Sequence, residues 1–171
     1  FIIYFSIYSI KNLFIFLKKN NFKKKILFIA VVITAFYNIV YLVIYHPYQS
    51  YYFNELISDK RKNTFEIDYH GLGAKEFFLK LSSENKGRLI NIGVASFTPL
   101  HRGLEGIEKD LRNNINIVGQ NYENADFIYK NNISEVNFRL NKKYNVPSNF
   151  DKVYELKING TKIYEIYKRI K

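Results

Sequence analysis

The longest run of hydrophobic positions lies near the start of the chain. Residues 26–45 are twenty consecutive residues without a charge, and a helix of that length covers the ~30 Å hydrocarbon core of a bilayer at about 1.5 Å rise per residue. A core helix of a globular domain carries a polar face, and a signal peptide has a shorter apolar region. The pattern therefore predicts a transmembrane helix.

A second apolar stretch, residues 1–17, is interrupted by Lys11. Burial of a lysine at mid-membrane costs roughly 3 kcal/mol, so Lys11 is expected near a membrane surface. Residues 1–10 then form the end of an earlier helix, and residues 11–17 lie along the interface. Because the sequence starts at Phe1 and contains no Met, the expectation is a C-terminal fragment of a longer membrane protein.

Beyond residue 64 the periodicity changes to that of a globular domain. Apolar positions at helical spacing predict a helix over residues 73–85. A second helix is predicted with Thr98 as its cap, Pro99 in its first turn and apolar positions through Leu111. The β-prone runs 88–95, 115–119 and 125–130 are predicted strands.

The C-terminal segment has the pattern of a β-hairpin. Asn159–Gly160 supplies the positive φ angles of a type I′ turn between two β-prone runs. Pairing across a two-residue turn places Leu156 opposite Ile163 and Lys157 opposite Lys162. The predicted fold class is therefore α/β: transmembrane helices followed by a small mixed α/β extracytoplasmic domain that ends in a hairpin.

The distribution of charge predicts the topology. Five of the lysines lie in the short stretch 18–25, and positive charge beside a membrane helix marks the cytoplasmic side. The chain after residue 45 is then extracytoplasmic. The predicted organisation is membrane segments over residues 1–45 with a cytoplasmic loop at 18–25, an interfacial connection at 46–64, and a domain at 65–171.

Composition excludes some classes of function. The formal net charge is +11, but the tightest lysine cluster lies between hydrophobic segments and no nucleic-acid-binding motif is present, so no nucleic-acid partner is expected. The spacing of the three histidines matches no metal motif, and Cys is absent. We expect no metal and no cofactor.

Two polar and aromatic stretches are the candidates for a binding site. HPYQSYYFNELI follows the predicted transmembrane helix, and FEIDYHGLGAKEF comes next. Rings stack on sugars while amides and carboxylates bond hydroxyls, although such residues also suit docking of the domain to the membrane part. The weak candidates for substrate binding are His46, Tyr48, Gln49, Asn54, Asp68 and His70.

These stretches carry a resemblance to a known family. A last membrane helix followed by HPYQ-x-x-YFN, then FE-x-DY-x-GL-x-x-KE, and ending in NG-x-x-IY-x-IYK resembles the C-terminal region of bacterial GT-C glycosyltransferases, which are similar to protein O-mannosyltransferases and aminoarabinose transferases. The sequence departs from the pattern at His70, where a Trp is expected.

The resemblance implies an integral membrane enzyme that transfers a sugar from a polyprenyl-phosphate donor to an extracytoplasmic acceptor. Its implied partners are the lipid bilayer, that donor and the remaining transmembrane part of the full-length protein. In the family the catalytic acid lies in an N-terminal outer loop, so no catalytic residue is expected within this sequence. The alternative is a non-enzymatic, membrane-anchored extracytoplasmic binding or scaffold module.

Overall fold

The computed structural model describes Tyr8, Lys11, Asn12, Ile15 and residues 21–51, 53, 56–68 and 71–170. The chain divides into two compact units, Phe1–His46 and Pro47–Lys171. Most of the predicted N-terminal apolar stretch, residues 1–17, lies outside the described residues.

The first unit contains one long helix, α1, over Asn21–Ile44. It is long and apolar enough to cross a membrane by length and composition, and each of its residues is at least partly exposed. The stretch 18–25 was expected to be a loop, yet it is helical from Asn21 onward. Lysine is a good helix former, and its long side chain carries the charge away from the helix axis.

The second unit contains helices and strands that alternate before a final hairpin. Its helices are α2 (Asp59–Lys62), α3 (Leu72–Glu84), α4 (Leu100–Glu105) and α5 (Lys109–Arg112); its strands are β1 (Ile90–Val94), β2 (Ile115–Gly119), β3 (Phe127–Lys130), β4 (Phe150–Ile158) and β5 (Thr161–Arg169); and its 3₁₀ helices are Gln49–Tyr51, Tyr122–Asn124 and Phe138–Tyr144.

The five strands form one mixed sheet in the order β2-β1-β3-β5-β4. Strand β1 is parallel to both β2 and β3, while β5 is antiparallel to both β3 and β4. The prediction of a mixed α/β fold with a C-terminal hairpin is confirmed.

Helix α3 packs its apolar face into the main core, which it shares with the sheet. The positions that predicted this helix, Ala74, Phe77, Phe78 and Leu81, are all buried. Phe77 and Phe78 are completely buried, so α3 is the element that fixes this side of the domain.

The second predicted helix is interrupted: α4 ends at Glu105, and α5 is a separate short helix. Gly103 allows α4 to approach α3 closely, because a Cβ at Gly103 would lie only 2.6 Å from the Cβ of Ala74. The glycine that weakens the helical pattern in the sequence is thus needed where the two helices meet.

The hairpin turn agrees with its prediction, and the register agrees in part. Asn159 and Gly160 both have positive φ, at 49° and 74°, and Lys157 pairs with Lys162. Leu156, however, pairs with Tyr164 rather than with Ile163. The register shifts between Leu156 and Lys157 and shifts again between Lys152 and Tyr154. An irregularity of this kind displaces the pairs that follow it by one position, so only the pairs between the two irregularities are displaced.

Residues 46–64 were expected to be an interfacial connection, and from Pro47 onward they belong to the same compact unit as the α/β core. Their position at a membrane interface stays a prediction. Tyr48 and Tyr51 are only 4% and 8% exposed and lie in the main core. Tyr48 and Tyr51 are therefore packing residues of the domain.

The end of this same segment contacts the hairpin turn. Lys62 Nζ donates to the carbonyl oxygen of Asn159 at 2.9 Å. The Asn63 amide donates to the Gly160 carbonyl at 3.1 Å and accepts from the Lys162 N–H at 2.8 Å. The first and last parts of the domain are thus joined directly.

Candidate functional site

The six residues predicted from sequence fall into different environments. Tyr48 and Asp68 are buried in the second unit, whereas Gln49 is half-buried at the start of its 3₁₀ helix. His46 is exposed and is the last residue of the first unit.

The other two candidates, Asn54 and His70, lie outside the described residues. Two of the described candidates, Tyr48 and Asp68, come together in the structure. Tyr48 belongs to the main core cluster, and Asp68 accepts a hydrogen bond from Tyr51 of the same cluster. That cluster is the candidate site.

Asp68 lies at the centre of this cluster and is completely buried. Its Oδ1 accepts from the Tyr51 hydroxyl at 2.7 Å, and its Oδ2 accepts from the Gly73 N–H at 3.0 Å and the Tyr129 hydroxyl at 3.2 Å. Its φ is 71°, a left-handed conformation that Asp adopts more readily than most residues. Three donors therefore compensate much of the loss of hydration of this carboxyl.

Gly73 makes the approach between Asp68 and helix α3 possible. A Cβ at this position would lie 2.8 Å from Asp68 Oδ2 and 2.9 Å from Cδ1 of Tyr164. Gly73 is in the first turn of α3, where backbone N–H groups have no partner within the helix. The carboxyl of Asp68 satisfies one of these donors, and the helix dipole favours negative charge there.

A second carboxyl, that of Glu76, is one turn further along α3. It accepts from the Tyr48 hydroxyl and, at 3.3 Å, from the Tyr164 hydroxyl. Tyr48 comes from the first polar stretch of the sequence and Glu76 from the second. The two stretches are thus connected by side-chain hydrogen bonds in the domain interior.

Aromatic rings fill the space between the two carboxyls. The rings of Tyr129 and Tyr164 stack with centroids 5.5 Å apart, and Phe77 meets Tyr129 edge-on at 5.1 Å. Stacked and edge-to-face arrangements are the favourable ones for aromatic pairs. The cluster is consequently tightly packed around its polar groups.

The hydrogen bonds continue past Tyr129 to the far end of the parallel strands. The Asn131 amide donates to the Tyr129 hydroxyl at 3.3 Å and to Thr98 Oγ1 at 2.6 Å. Its carbonyl oxygen accepts from the Ile133 N–H at 3.1 Å. This chain of bonds fixes the loop that follows β3.

Burial determines the protonation of these groups. It raises the pKa of Asp68, and the donors Tyr51, Gly73 and Tyr129 partly oppose that increase. Burial also raises the pKa of Tyr51 and Tyr129, and the nearby charge of Asp68 raises both further. The tyrosines therefore remain neutral hydrogen-bond donors at physiological pH.

The chemistry of this arrangement is that of a buried structural network. Asp68 and Tyr129 are completely buried, so no solute reaches the two groups in this conformation. Among the described residues, no cluster of three or more His, Asp or Glu side chains is arranged to hold a metal ion.

Sequence reasoning did not single out Glu76, Tyr129 or Tyr164. Glu76 lies in the GL-x-x-KE motif and directly precedes Phe77, which is on the apolar face of the predicted helix. Tyr129 and Tyr164 lie on β3 and β5. A tyrosine in a predicted buried strand indicates a buried hydrogen bond, because its hydroxyl needs a partner there.

Comparison with known proteins adds no relative to this description. No protein-family model, curated protein or solved structure matches the chain.

Proposed function

We propose that the chain is the membrane-anchored, extracytoplasmic C-terminal part of a glycosyltransferase that uses a polyprenyl-phosphate sugar donor. Helix α1 is the membrane anchor in this proposal, and Pro47–Lys171 is the extracytoplasmic domain. The partners are the bilayer, the lipid-linked donor and the remaining transmembrane part of the enzyme. Support comes from the apolar composition of α1 and from the motif residues.

The observation that carries the proposal is that the first two motifs meet in one cluster. Tyr48 of HPYQ-x-x-YFN bonds Glu76 of FE-x-DY-x-GL-x-x-KE. Tyr51, at an unspecified position of the first motif, bonds Asp68 of the second. Tyr164, from the hairpin motif, also bonds Glu76. The motif residues Tyr48, Glu76 and Tyr164 therefore belong to one packed cluster of the domain.

The proposal assigns structural roles to Tyr48 and Asp68. Both are buried and bonded to residues of the domain, so they hold the segment after the membrane helix onto the α/β core. Gln49 and His46 are more exposed. They are the residues that we place toward the lipid-phosphate headgroup.

The test is transfer of labelled sugar in membranes that contain the natural protein. Membranes from cells with and without its gene are incubated with radiolabelled polyprenyl-phosphate mannose or glucose, and incorporation into acceptor is measured. We expect incorporation with one of these donors to require the gene. Equal incorporation with and without the gene contradicts the transferase assignment for those donors.

A matched pair of variants tests the role of Gln49. Gln49→Ala is expected to lower transfer, whereas Asn145→Ala, an exposed amide elsewhere on the domain, is expected to leave it unchanged. Tyr48→Ala is unsuitable because Tyr48 is 4% exposed, and truncation of a buried aromatic residue destabilises a fold by ~3–5 kcal/mol.

The alternative proposal is a membrane-anchored scaffold or binding module, and it too requires no catalytic acid within this sequence. The carboxyl at the centre of the motif cluster, Asp68, is completely buried and bonded to three donors. A module that only binds or positions a partner needs no accessible acid. In that case deletion of the gene changes no sugar transfer, and the domain is recovered with a protein partner.

A further inference from the structure

The carboxyl ends of β1 and β2 form a crevice away from the motif cluster. After β1 the chain continues into α4, which packs on α3. After β2 it passes through Tyr122, which lies against Gly93 on the other face of β1. When the connections after two neighbouring strands run to opposite faces of an open α/β sheet, a crevice opens outside the carboxyl ends of those strands. Ligands commonly bind in such a crevice.

A cavity of about 340 Å³ occupies this crevice. Its lining includes Val94 and Ser96 after β1, and Gly119 and Gln120 after β2. The volume is within the range of small-molecule sites, ~300–1,000 Å³. We call it the strand-end cleft.

Ser96 gives the strand-end cleft an unsatisfied polar group. The residue is 3% exposed, and its Oγ has no hydrogen-bond partner in the described structure. The neighbouring N–H groups of Ala95 and Phe97 are bonded to Tyr129 and Ile133 carbonyls at 2.7 and 3.0 Å, so the backbone here is fixed. A buried hydroxyl without a partner is unfavourable, and Ser96 is one of the residues that line the cleft.

The remaining polar groups of the cleft supply acceptors with little net charge. Lys143 Nζ and the Tyr144 hydroxyl donate to Oε1 of Glu135, at 2.6 and 2.9 Å. Oε2 of Glu135 is therefore left to accept from a ligand, and Lys143 neutralises the carboxylate. Gln120 donates its amide N–H to the Val94 carbonyl at 3.3 Å, which leaves its own carbonyl oxygen as an acceptor.

An exposed aromatic ring completes the lining. Phe97 is 54% exposed and lies beside Ser96 in the cleft. A site with a flat apolar surface and a few placed hydroxyl, amide and carboxylate groups suits a ligand that has an apolar face and several hydroxyls. A sugar ring has this chemistry, whereas an anion would need an unpaired positive charge, and Lys143 is already paired with Glu135.

We propose that the strand-end cleft binds a neutral monosaccharide unit, with Ser96, Gln120 and Glu135 bonding its hydroxyls and Phe97 packing against its ring. This site is separate from the Asp68 cluster. It does not depend on the glycosyltransferase proposal, because a scaffold or binding module could carry it equally well.

The experiment uses the complete chain, ¹⁵N-labelled, in detergent micelles. Amide signals are followed while D-glucose, D-galactose, D-mannose or N-acetyl-D-glucosamine is added, and inorganic phosphate is the anionic comparison. We expect at least one sugar to shift the amide signals of Ser96, Phe97, Gly119 and Gln120, and phosphate to leave them in place. Shifts with phosphate but not with sugars, or no shifts at all, overturn the proposal.

Variants of two residues of the cleft, Ser96 and Phe97, separate an effect on binding from an effect on the structure. Ser96→Ala is expected to weaken sugar binding roughly three- to tenfold, as loss of one hydrogen bond does. Because its Oγ has no bond to lose, the variant is expected to keep the wild-type unfolding temperature. Phe97→Ala, a truncation at an exposed ring, is expected to weaken binding as well.

Ser82→Ala is the matched control. Ser82 is also buried, at 8% exposed, its Oγ also has no partner, and it lines a different cavity of about 380 Å³. This variant is expected to bind sugar as the wild type does. Equal weakening by Ser82→Ala and Ser96→Ala contradicts the assignment to the strand-end cleft.

Discussion

Asp68 shows how one residue can serve backbone and side-chain requirements together. Its φ of 71° would strain most side chains, and its buried carboxyl must be matched by donors. Asn tolerates the same backbone conformation but offers only one acceptor oxygen. The Gly73 N–H and the two tyrosine hydroxyls together need the two oxygens that Asp supplies.

The Tyr51 hydroxyl is expected to contribute to stability through Asp68. Tyr51→Phe keeps the buried ring and removes the donor 2.7 Å from Oδ1. Hydrogen bonds to charged or partly charged groups contribute ~1–3 kcal/mol, so we expect the free energy of unfolding to fall by that amount. Chemical denaturation followed by circular dichroism measures it.

Tyr154→Phe is the control for this change. The Tyr154 ring packs against the core and lies under Lys80, with Nζ 4.3 Å from the ring centroid, and none of the hydrogen bonds seen among the described residues involves its hydroxyl. Its loss is expected to change stability little. An equal loss in both variants would show that the Asp68 contact is not the cause.

The raised pKa of Asp68 predicts how stability depends on pH. Burial raises this pKa, so between the ordinary value of about 3.9 and the raised value the folded state keeps a proton that the unfolded state has released. The unfolding free energy then falls as pH rises through this interval. Asp68→Asn removes the titration.

The two proteins are compared by urea denaturation at several pH values from acidic to neutral. We expect the stability of the wild type relative to Asp68→Asn to decrease as pH rises. A relative stability that instead increases with pH would mean that the donors lower the pKa of Asp68 more than burial raises it.

At the scale of elements, both the backbone conformation and the space beside the Cα restrict which residue can replace Gly160 in the hairpin turn. Its φ is 74°, and a Cβ would collide with the carboxyl of Asp59 in α2. Gly160→Ala is expected to cost the ~1–2 kcal/mol of a left-handed alanine and a further amount for displacing Asp59. Thermal unfolding of the variant tests this.

Gly87→Ala is the control for the backbone contribution. Gly87 has the same φ of 74°, but a Cβ there would meet no atom within 4 Å. We expect Gly160→Ala to be slightly more destabilising than Gly87→Ala, because the exposed carboxyl of Asp59 can move aside at small cost. Equal effects would show that the contact between the turn and α2 is too mobile to matter.

The elements that sequence could predict are those with a strong local pattern. The helical face of Ala74, Phe77 and Leu81 and the Asn159–Gly160 turn are determined by neighbours in the chain, and both were found as predicted. The register shift beside Leu156 was not predicted. A pattern that is read along one strand does not record how that strand is aligned with its partner.

At the scale of the whole molecule, the proposed topology gives a direct experiment. The chain contains no Cys, so an introduced Cys is unique. We expect Ser148→Cys, at an exposed position, to react with a membrane-impermeant maleimide on intact cells. Lys23→Cys, in the first turns of α1, is expected to react only after permeabilisation. The reverse pattern would invert the topology.

The candidate site could be predicted only in part for a related reason. Tyr48 and Asp68 were recognisable as unusual residues, but aromatic side chains after a membrane helix suit the headgroup region and a protein core equally well. The contact of Tyr48 with Glu76 and that of Asp68 with Tyr129 show that Tyr48 and Asp68 lie in the protein core. Residues that are distant in sequence carry that information.

The contact between residues 62–63 and the hairpin turn also has a consequence for the order of biosynthesis. These bonds join residues 97 and 99 positions apart, and the β5 side chain that bonds Glu76 is 88 positions away from it. A chain made from its N-terminus presents the segment around Tyr51 long before these partners exist. Domains fold as units, and contacts this distant in sequence form slowly. The contacts with the hairpin therefore form only after the last two strands have been translated. Until then the segment around Tyr51 has only its nearer partners, such as Asp68 and Glu76, and a chaperone or the membrane surface has access to the part that the hairpin covers later.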